Sequence, residues 1–142
     1  MKLALALSVL VLAVAPAASA ASTNPCTLVS SADAAKVLGG KVAAGKAQAA
    51  GLYRQCTYTW GHKTLTVETR AIASKSLFAK SAKANPGPVF PIPGVGDAAY
   101  SAAGGAALLV WKKGTEITFL FIGVSPVVQT QTDLANSALK RL

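Results

Sequence analysis

The chain has 142 residues, of which 52% are hydrophobic, and part of that share lies in an apolar run at the N-terminus. Basic residues outnumber acidic ones by 14 to 5, which gives a formal net charge of +9. One histidine, two cysteines and five scattered carboxylates offer no set of metal ligands at the usual spacing. The length fits one domain with a real hydrophobic core and excludes a second domain.

The N-terminus has the pattern of a secretory signal peptide. Lys2 gives a positive start, and residues 3–14 are leucine, alanine and valine with one serine. Ala18-Ser19-Ala20 fits the small-x-small cleavage pattern. The apolar run is shorter than the roughly 20 residues that cross a bilayer. We therefore predict a cleavable signal peptide over residues 1–20 and no transmembrane segment in the mature form.

The mature chain is then a single domain over residues 21–142 in the secreted or periplasmic fraction. Residue 21 is alanine, so a lipid-modified N-terminus is not expected. Loss of Lys2 leaves 13 basic and 5 acidic residues, a net charge of +8. Two cysteines in an exported chain indicate a disulfide, here Cys26–Cys56. Their spacing is unlike the Cys-x-x-Cys of redox-active pairs.

The first half of the mature chain predicts a helix followed by a β-hairpin. Ser30 or Ser31 can cap a helix over Ser31–Leu38, which Gly39-Gly40 ends. Tyr53–Trp60 and Thr64–Ile72 have the composition of strands, and Gly61-His62 forms the turn between them. Polar residues alternate with leucine and valine in the second strand, as in a half-exposed antiparallel sheet.

The second half predicts a helix, three strands and a C-terminal helix. These elements are Ser74–Ala84, Asp97–Ala102, Ala106–Trp111, Glu116–Ile122 and the segment from Ser125 to Leu142. The strand Glu116–Ile122 is apolar on both sides, which is typical of a central strand covered on both faces. We predict an α+β fold with helices packed on one face of an antiparallel β-sheet, in the order helix–strands–helix–strands–helix.

Three motifs follow one another over residues 24–142. They are Asn24-Pro25-Cys26 before a capped helix, Cys56-Thr57-Tyr58 in a strand, and Pro93-Gly94-Val95-Gly96-Asp97-Ala98-Ala99-Tyr100 before a Lys-Gly hairpin and an Ala-rich helix. Their order resembles a family of small exported proteins and lipoproteins, best known in actinobacteria and defined only as a domain of unknown function. The resemblance implies this fold and this disulfide, and it implies no activity. The chain departs from the lipoproteins by lacking their lipobox cysteine.

Three stretches match parts of catalytic or nucleotide-binding motifs. Residues 40–46 match the glycines and lysine of a P-loop, but Ala47 stands where serine or threonine would hold magnesium. Residues 94–99 fit a relaxed dinucleotide fingerprint, yet they lead into a strand. Residues 137–140 read Ser-x-x-Lys with only two residues after them. His62 is the one candidate base and has no nucleophile motif. We expect no catalytic residue, no metal site and no cofactor.

Two sets of residues are candidates for a binding surface. One set could line a cleft for an apolar ligand and otherwise belongs to the core: Trp60, Trp111, Phe119 and Phe121. The other set could dock on an anionic surface and otherwise only solvates the protein: Lys75, Lys80, Lys83, Lys112 and Lys113.

We therefore expect an exported, non-catalytic binding module of the cell envelope or secreted fraction, which holds an apolar small molecule in that cleft. The alternative is an interaction protein whose basic face docks on an anionic partner, polymer or membrane surface. Export and the absence of an arginine-rich motif both argue against nucleic acid as the partner.

Expression of the full chain in a secreting host is expected to yield a protein that begins at Ala21 and contains the Cys26–Cys56 bond. Its intact mass should equal that of residues 21–142 less about 2 Da, the two hydrogens lost from paired thiols. Without reduction, no thiol should react with an alkylating agent. A mass that still includes residues 1–20, or two alkylated cysteines, would contradict this prediction.

Overall fold

The computed structural model describes residues 23–142, so the predicted signal peptide lies outside the described residues. Four α-helices occur in this range: α1 (Pro25–Leu28), α2 (Ser31–Leu38), α3 (Lys75–Lys83) and α4 (Val128–Leu139). Seven strands accompany them: β1 (Lys46–Ala50), β2 (Tyr53–Trp60), β3 (Lys63–Ala71), β4 (Phe90–Pro91), β5 (Ala98–Ala102), β6 (Ala107–Lys112) and β7 (Thr115–Ile122). A short 3-10 helix, Ala103–Gly105, joins β5 to β6.

The seven strands form one antiparallel sheet in the order β1-β2-β3-β7-β6-β5-β4. It consists of two meanders, β1 to β3 and β4 to β7, which meet where β3 pairs with β7. The predicted α+β class and antiparallel sheet are confirmed. β7 is a central strand, as its apolar sequence predicted.

Alternating side chains divide the sheet into two faces. The front face carries the main core, in which Val67, Phe119 and Leu134 are buried, and it is covered by α1, α2 and α4. The back face carries α3, whose Phe78 ring lies 5.5 Å from the Tyr100 ring. Three of the four described helices thus pack on one face. The third helix packs on the other, because its apolar residues meet the small and aliphatic side chains that β5 and β6 present there.

The segment from Gly39 to Gly45 lies closely against β2. Gly39 ends α2 in the left-handed region, at φ +80°, and its N–H donates to the Ala35 carbonyl at 2.9 Å. A Cβ on Gly40 would lie 2.1 Å from the Trp60 ring. A Cβ on Gly45 would lie 2.3 Å from the Cys56 sulfur. Both positions require glycine because the chain passes directly over buried or packed side chains.

The predicted disulfide is confirmed and joins α1 to β2. The sulfur atoms of Cys26 and Cys56 are 2.03 Å apart and the Cα atoms 5.1 Å apart. Cys56 is fully buried. Tyr58 lies two residues after Cys56 on β2, and its hydroxyl donates to the carbonyl of Val29. Burial raises the pKa of the Tyr58 phenol, so the group stays a neutral donor. A covalent bond and a buried hydrogen bond therefore hold the first helix on the sheet.

Replacement of Gly45 by alanine is expected to lower the free energy of unfolding by about 2 kcal/mol, since the added methyl group overpacks the Cys56 sulfur and the Tyr58 ring. Urea unfolding monitored by circular dichroism measures the change. Ala44→Ser, at the exposed neighbouring position, is the matched control and should stay within about 0.5 kcal/mol of the wild type. Equal stabilities for the two variants would refute the close approach.

Candidate functional site

The four aromatic residues predicted to line a cleft lie in three separate places. Phe119 and Phe121 of β7 are buried in the core of the front face. Trp111 of β6 lies on the back face, and its indole N–H donates to the Ile72 carbonyl at 3.0 Å. Trp60 lies at the end of β2 and is 41% exposed. The four rings therefore do not line a common cleft.

The strand register accounts for this separation. Trp111 pairs with Glu116 of β7, so both side chains lie on the back face. Phe119 is three residues further along β7, and because side chains alternate along a strand it lies on the front face. The sequence of each strand shows that its side chains alternate between the two faces of the sheet. Only the pairing between strands shows which side chains of neighbouring strands share a face.

A groove with a volume of about 280 Å³ runs between α2 and α4. Val37 and Leu134 form its apolar part, and its polar lining includes the carboxylates of Asp33 and Asp133. None of the four aromatic residues lines it. The groove is mixed in polarity and differs in chemistry from the apolar cleft that the sequence predicted.

Three of the five predicted basic-surface lysines lie on α3. Lys75, Lys80 and Lys83 are all exposed, and α3 contains no acidic residue. The helix lies on the back face, where its buried side packs on β5 and β6. The three ammonium groups are therefore presented together on one element.

The other two predicted lysines lie where β6 turns into β7, with Lys112 at the end of β6 and Lys113 in the turn. Lys113 is exposed, and its backbone N–H donates to the Asp97 carboxylate at 2.9 Å. Lys112 lies with Lys140 along a second depression, which has a volume of about 460 Å³. The structure thus divides the predicted basic surface into a helix group and a hairpin group.

All five side-chain carboxylates have partners within the protein. The pairs are Asp33 with Arg141, Glu116 with Arg70, Glu68 with the Gln55 amide, Asp97 with the Lys113 N–H, and Asp133 with the Gln129 amide. In contrast, none of the ten lysines in residues 23–142 forms an ion pair. The protein uses its negative charges internally and leaves its lysines on the surface without matching carboxylates.

A polar cluster on the back face was not found from the sequence. Arg70 Nη2 lies 3.0 Å from Glu116 Oε2, and it also donates to the hydroxyl of Ser81. The Arg70 guanidinium lies 4.8 Å from the centre of the Tyr53 ring, and Glu116 accepts a hydrogen bond from Thr118. Glu116 is only 2% exposed. Arg70 and Glu116 are directly opposite in the β3–β7 register, which the sequence does not disclose.

A second ion pair holds the C-terminus on the first helices. Arg141 donates to the Asp33 carboxylate at 2.8 Å and to the Leu28 carbonyl at 2.7 Å. Burial by itself would raise the pKa of Asp33, but hydrogen bonds from Ser30 and Arg141 outweigh it and hold the pKa below its ordinary value of 3.8. Asp33 also completes a capping box with Ser30 at the start of α2.

The sequence-predicted candidates for chemistry are dispersed. His62 lies exposed in the β2–β3 turn, beside Gly123. Within residues 23–142, no three histidine, cysteine, aspartate or glutamate side chains are grouped closely enough to hold a metal ion. No helix in the described part of the chain is long and apolar enough to cross a membrane.

Comparison with protein-family models, with curated proteins and with solved structures found no match for this chain. The resemblance to the actinobacterial family of exported proteins therefore stays a prediction. The candidate site is defined by the geometry and the charges of this chain alone.

The ion pair predicts how stability depends on pH. Because the folded-state pKa of Asp33 is lowered, its contribution is present above the unfolded value of 3.8 and is lost as the pH falls through the folded-state pKa. Arg141→Gln should cost about 1 kcal/mol at pH 7 and less once Asp33 is protonated, because only the bond to the Leu28 carbonyl then remains. Urea unfolding at pH 7 and at a pH below the folded-state pKa of Asp33 measures the difference.

Asp133→Asn is the control for this measurement, since Asp133 is exposed and bonded only to a neighbour on its own helix. Its unfolding free energy should follow that of the wild type at both pH values. A cost of Arg141→Gln that is the same at neutral and acid pH would contradict the assigned pair.

Proposed function

We propose that this protein is an exported, non-catalytic binding module that attaches electrostatically to an anionic component outside the cytoplasm. The observation that carries the proposal is the imbalance between its charges. Each side-chain carboxylate is engaged internally, and no lysine in residues 23–142 forms an ion pair. A surface of this kind attracts anions over a Debye length, which is about 8 Å at physiological salt.

The lysines of α3 are the best-placed binding group. Lys75, Lys80 and Lys83 are exposed, share one short helix and have no acidic neighbour within it. The interior side of α3 is fixed by Phe78 and Ala82, which are fully buried. The helix therefore presents its positive charges from a rigid support and loses little entropy when it meets a partner.

The disulfide supports the proposed location. Buried structural disulfides form and persist in oxidising compartments such as the periplasm or the extracellular space. A free polyanion in that environment is an envelope polymer or an acidic protein, and a lysine-rich surface binds either through charge. The apolar-ligand hypothesis gains no support from this geometry, because its four aromatic residues lie apart.

Soluble polyphosphate is a suitable probe. We expect the mature protein to bind it with an affinity that falls steeply between about 50 and 300 mM NaCl, as screening weakens exposed charges. The triple variant Lys75→Gln, Lys80→Gln, Lys83→Gln should bind about tenfold more weakly at low salt and with a shallower salt dependence. Isothermal titration calorimetry at several salt concentrations measures both quantities.

A charge-matched triple variant is the control: Lys36→Gln, Lys41→Gln and Lys140→Gln remove the same net charge from α2, from the segment before β1 and from the end of α4. It should retain most of the affinity. Equal losses in the two triple variants would show that only the net charge matters, and no binding by the wild-type protein at low salt would refute the proposed function.

A further inference from the structure

Exposed apolar side chains are concentrated at one end of the sheet. Eight large hydrophobic residues of the described chain are exposed. Five of them are referred to here as the apolar rim: Trp60, Phe90, Ile122, Val127 and Val128, with exposures between 41% and 68%. Scattered single exposures need no explanation, whereas a concentration at one place indicates an interaction site.

The strand register places three of the rim residues at one end of the sheet, with Trp60 and Phe90 on its front face and Ile122 on its back face. Trp60 ends β2 opposite Lys63, and Ile122 ends β7 opposite Thr64, next to that hairpin. Phe90 begins β4 opposite Ser101, close to the end of β5. The same end of the sheet therefore carries an exposed apolar side chain on β2, on β7 and on β4, which span five strand spacings or about 24 Å.

The start of α4 lies at this end as well. The Gln131 amide donates to the Gly105 carbonyl, between β5 and β6, and to the Pro126 carbonyl, each at 3.0 Å. These bonds hold the first turn of α4 beside the β5–β6 connection. Val127 and Val128, which open the helix, are therefore fixed at the rim with their side chains exposed.

The rim is free of negative charge. The connections over residues 84–89, 103–106 and 123–127 contain no charged residue. Asp97 and Glu116 belong to the opposite end, with the β6–β7 hairpin, and Asp33 is held there by Arg141. Glu68 and Asp133 lie partway along β3 and α4.

Two lysines lie beside Trp60 of the apolar rim. The Lys63 ammonium lies 5.1 Å from the centre of the Trp60 ring and donates to the Leu38 carbonyl at 3.2 Å. Lys41 follows Gly40, on which the indole packs, and is exposed. Indole at the boundary of an apolar region with cations beside it is typical of a lipid–water interface.

We propose that the apolar rim docks on the surface of a bilayer that contains anionic phospholipid. Ile122, Val127 and Phe90 enter the acyl boundary, Trp60 lies at the level of the headgroups, and the nearby lysines meet lipid phosphates. This surface is distinct from the α3 lysines. It gives the protein a bilayer-bound state in addition to binding of soluble polyanions.

Charge favours a bilayer over a second copy of the chain. A symmetric dimer through the rim would bring Lys41 and Lys63 of both copies to one interface without any carboxylate to pair with them. Like charges at an interface weaken association, whereas anionic headgroups neutralise them.

The test uses vesicles of phosphatidylglycerol with phosphatidylcholine, and the two tryptophans report on it separately. In Trp111→Phe, emission comes from Trp60, and we expect a blue shift and quenching by brominated lipid when anionic vesicles are added. In Trp60→Phe, emission comes from Trp111, which is bonded to Ile72 away from the rim, and it should not change. Vesicles of phosphatidylcholine alone should bind much more weakly.

The double variant Ile122→Ser, Val127→Ser should lose about tenfold or more in vesicle affinity. Both side chains are exposed, so the fold should be retained, and polyphosphate affinity should be unchanged. An unchanged Trp60 emission, or full vesicle binding by the double variant, would overturn the bilayer proposal and leave the electrostatic function standing.

Sedimentation velocity supplies the remaining discriminating result. A dimer of the wild-type protein that dissociates in the double variant would assign the rim to a second copy and overturn the bilayer proposal. Absence of polyphosphate binding by the wild-type protein would refute the proposed electrostatic function and leave the bilayer proposal standing, since vesicle binding through the rim is measured separately.

Discussion

The pairing of β3 with β7 is the contact on which the rest of the structure depends. It joins two meanders that would otherwise be separate sheets, and it aligns Leu65 and Val67 with Phe121 and Phe119 on the front face. The continuous apolar surface made in this way is what α1, α2 and α4 cover. The same register sets Arg70 against Glu116 on the back face, where a misaligned pairing would leave a buried charge without its partner.

The helical layer is held at both ends of the chain. Near the N-terminus, the disulfide and the Tyr58 hydroxyl fix α1 on β2. At the C-terminus, Arg141 bonds the Leu28 carbonyl and the Asp33 carboxylate. The glycine segment between α2 and β1 can lie flat on this assembly because it has no side chains where it crosses Trp60 and Cys56. Residues far apart in sequence thus close one compact layer.

The acidic and basic side chains are placed differently in the structure. The few carboxylates complete caps, turns and ion pairs, and two of them, Asp33 and Glu116, are neutralised by an arginine. The lysines lie outside that network, on α3, at the β6–β7 hairpin and beside Trp60. A domain built in this way has a stable interior and a positive exterior. The apolar rim adds a second kind of contact at a place where no carboxylate opposes it.

The sequence by itself determined the longer helices, the strands of the central sheet, the disulfide and the excess of positive charge, whereas α1, β1 and β4 were not predicted from it. Capping serines, paired glycines and alternating strands act locally, and two cysteines allow one intramolecular pairing. It did not determine where side chains meet. Trp111 and Phe119 look alike as strand aromatics but lie on opposite faces, and α3 covers the face that the other helices leave open. Those outcomes depend on strand order and register, which follow from contacts between distant residues. The tertiary structure alone therefore shows that the four residues of the predicted aromatic cleft lie apart. It also shows that Trp60, Phe90 and Ile122 lie at one end of the sheet.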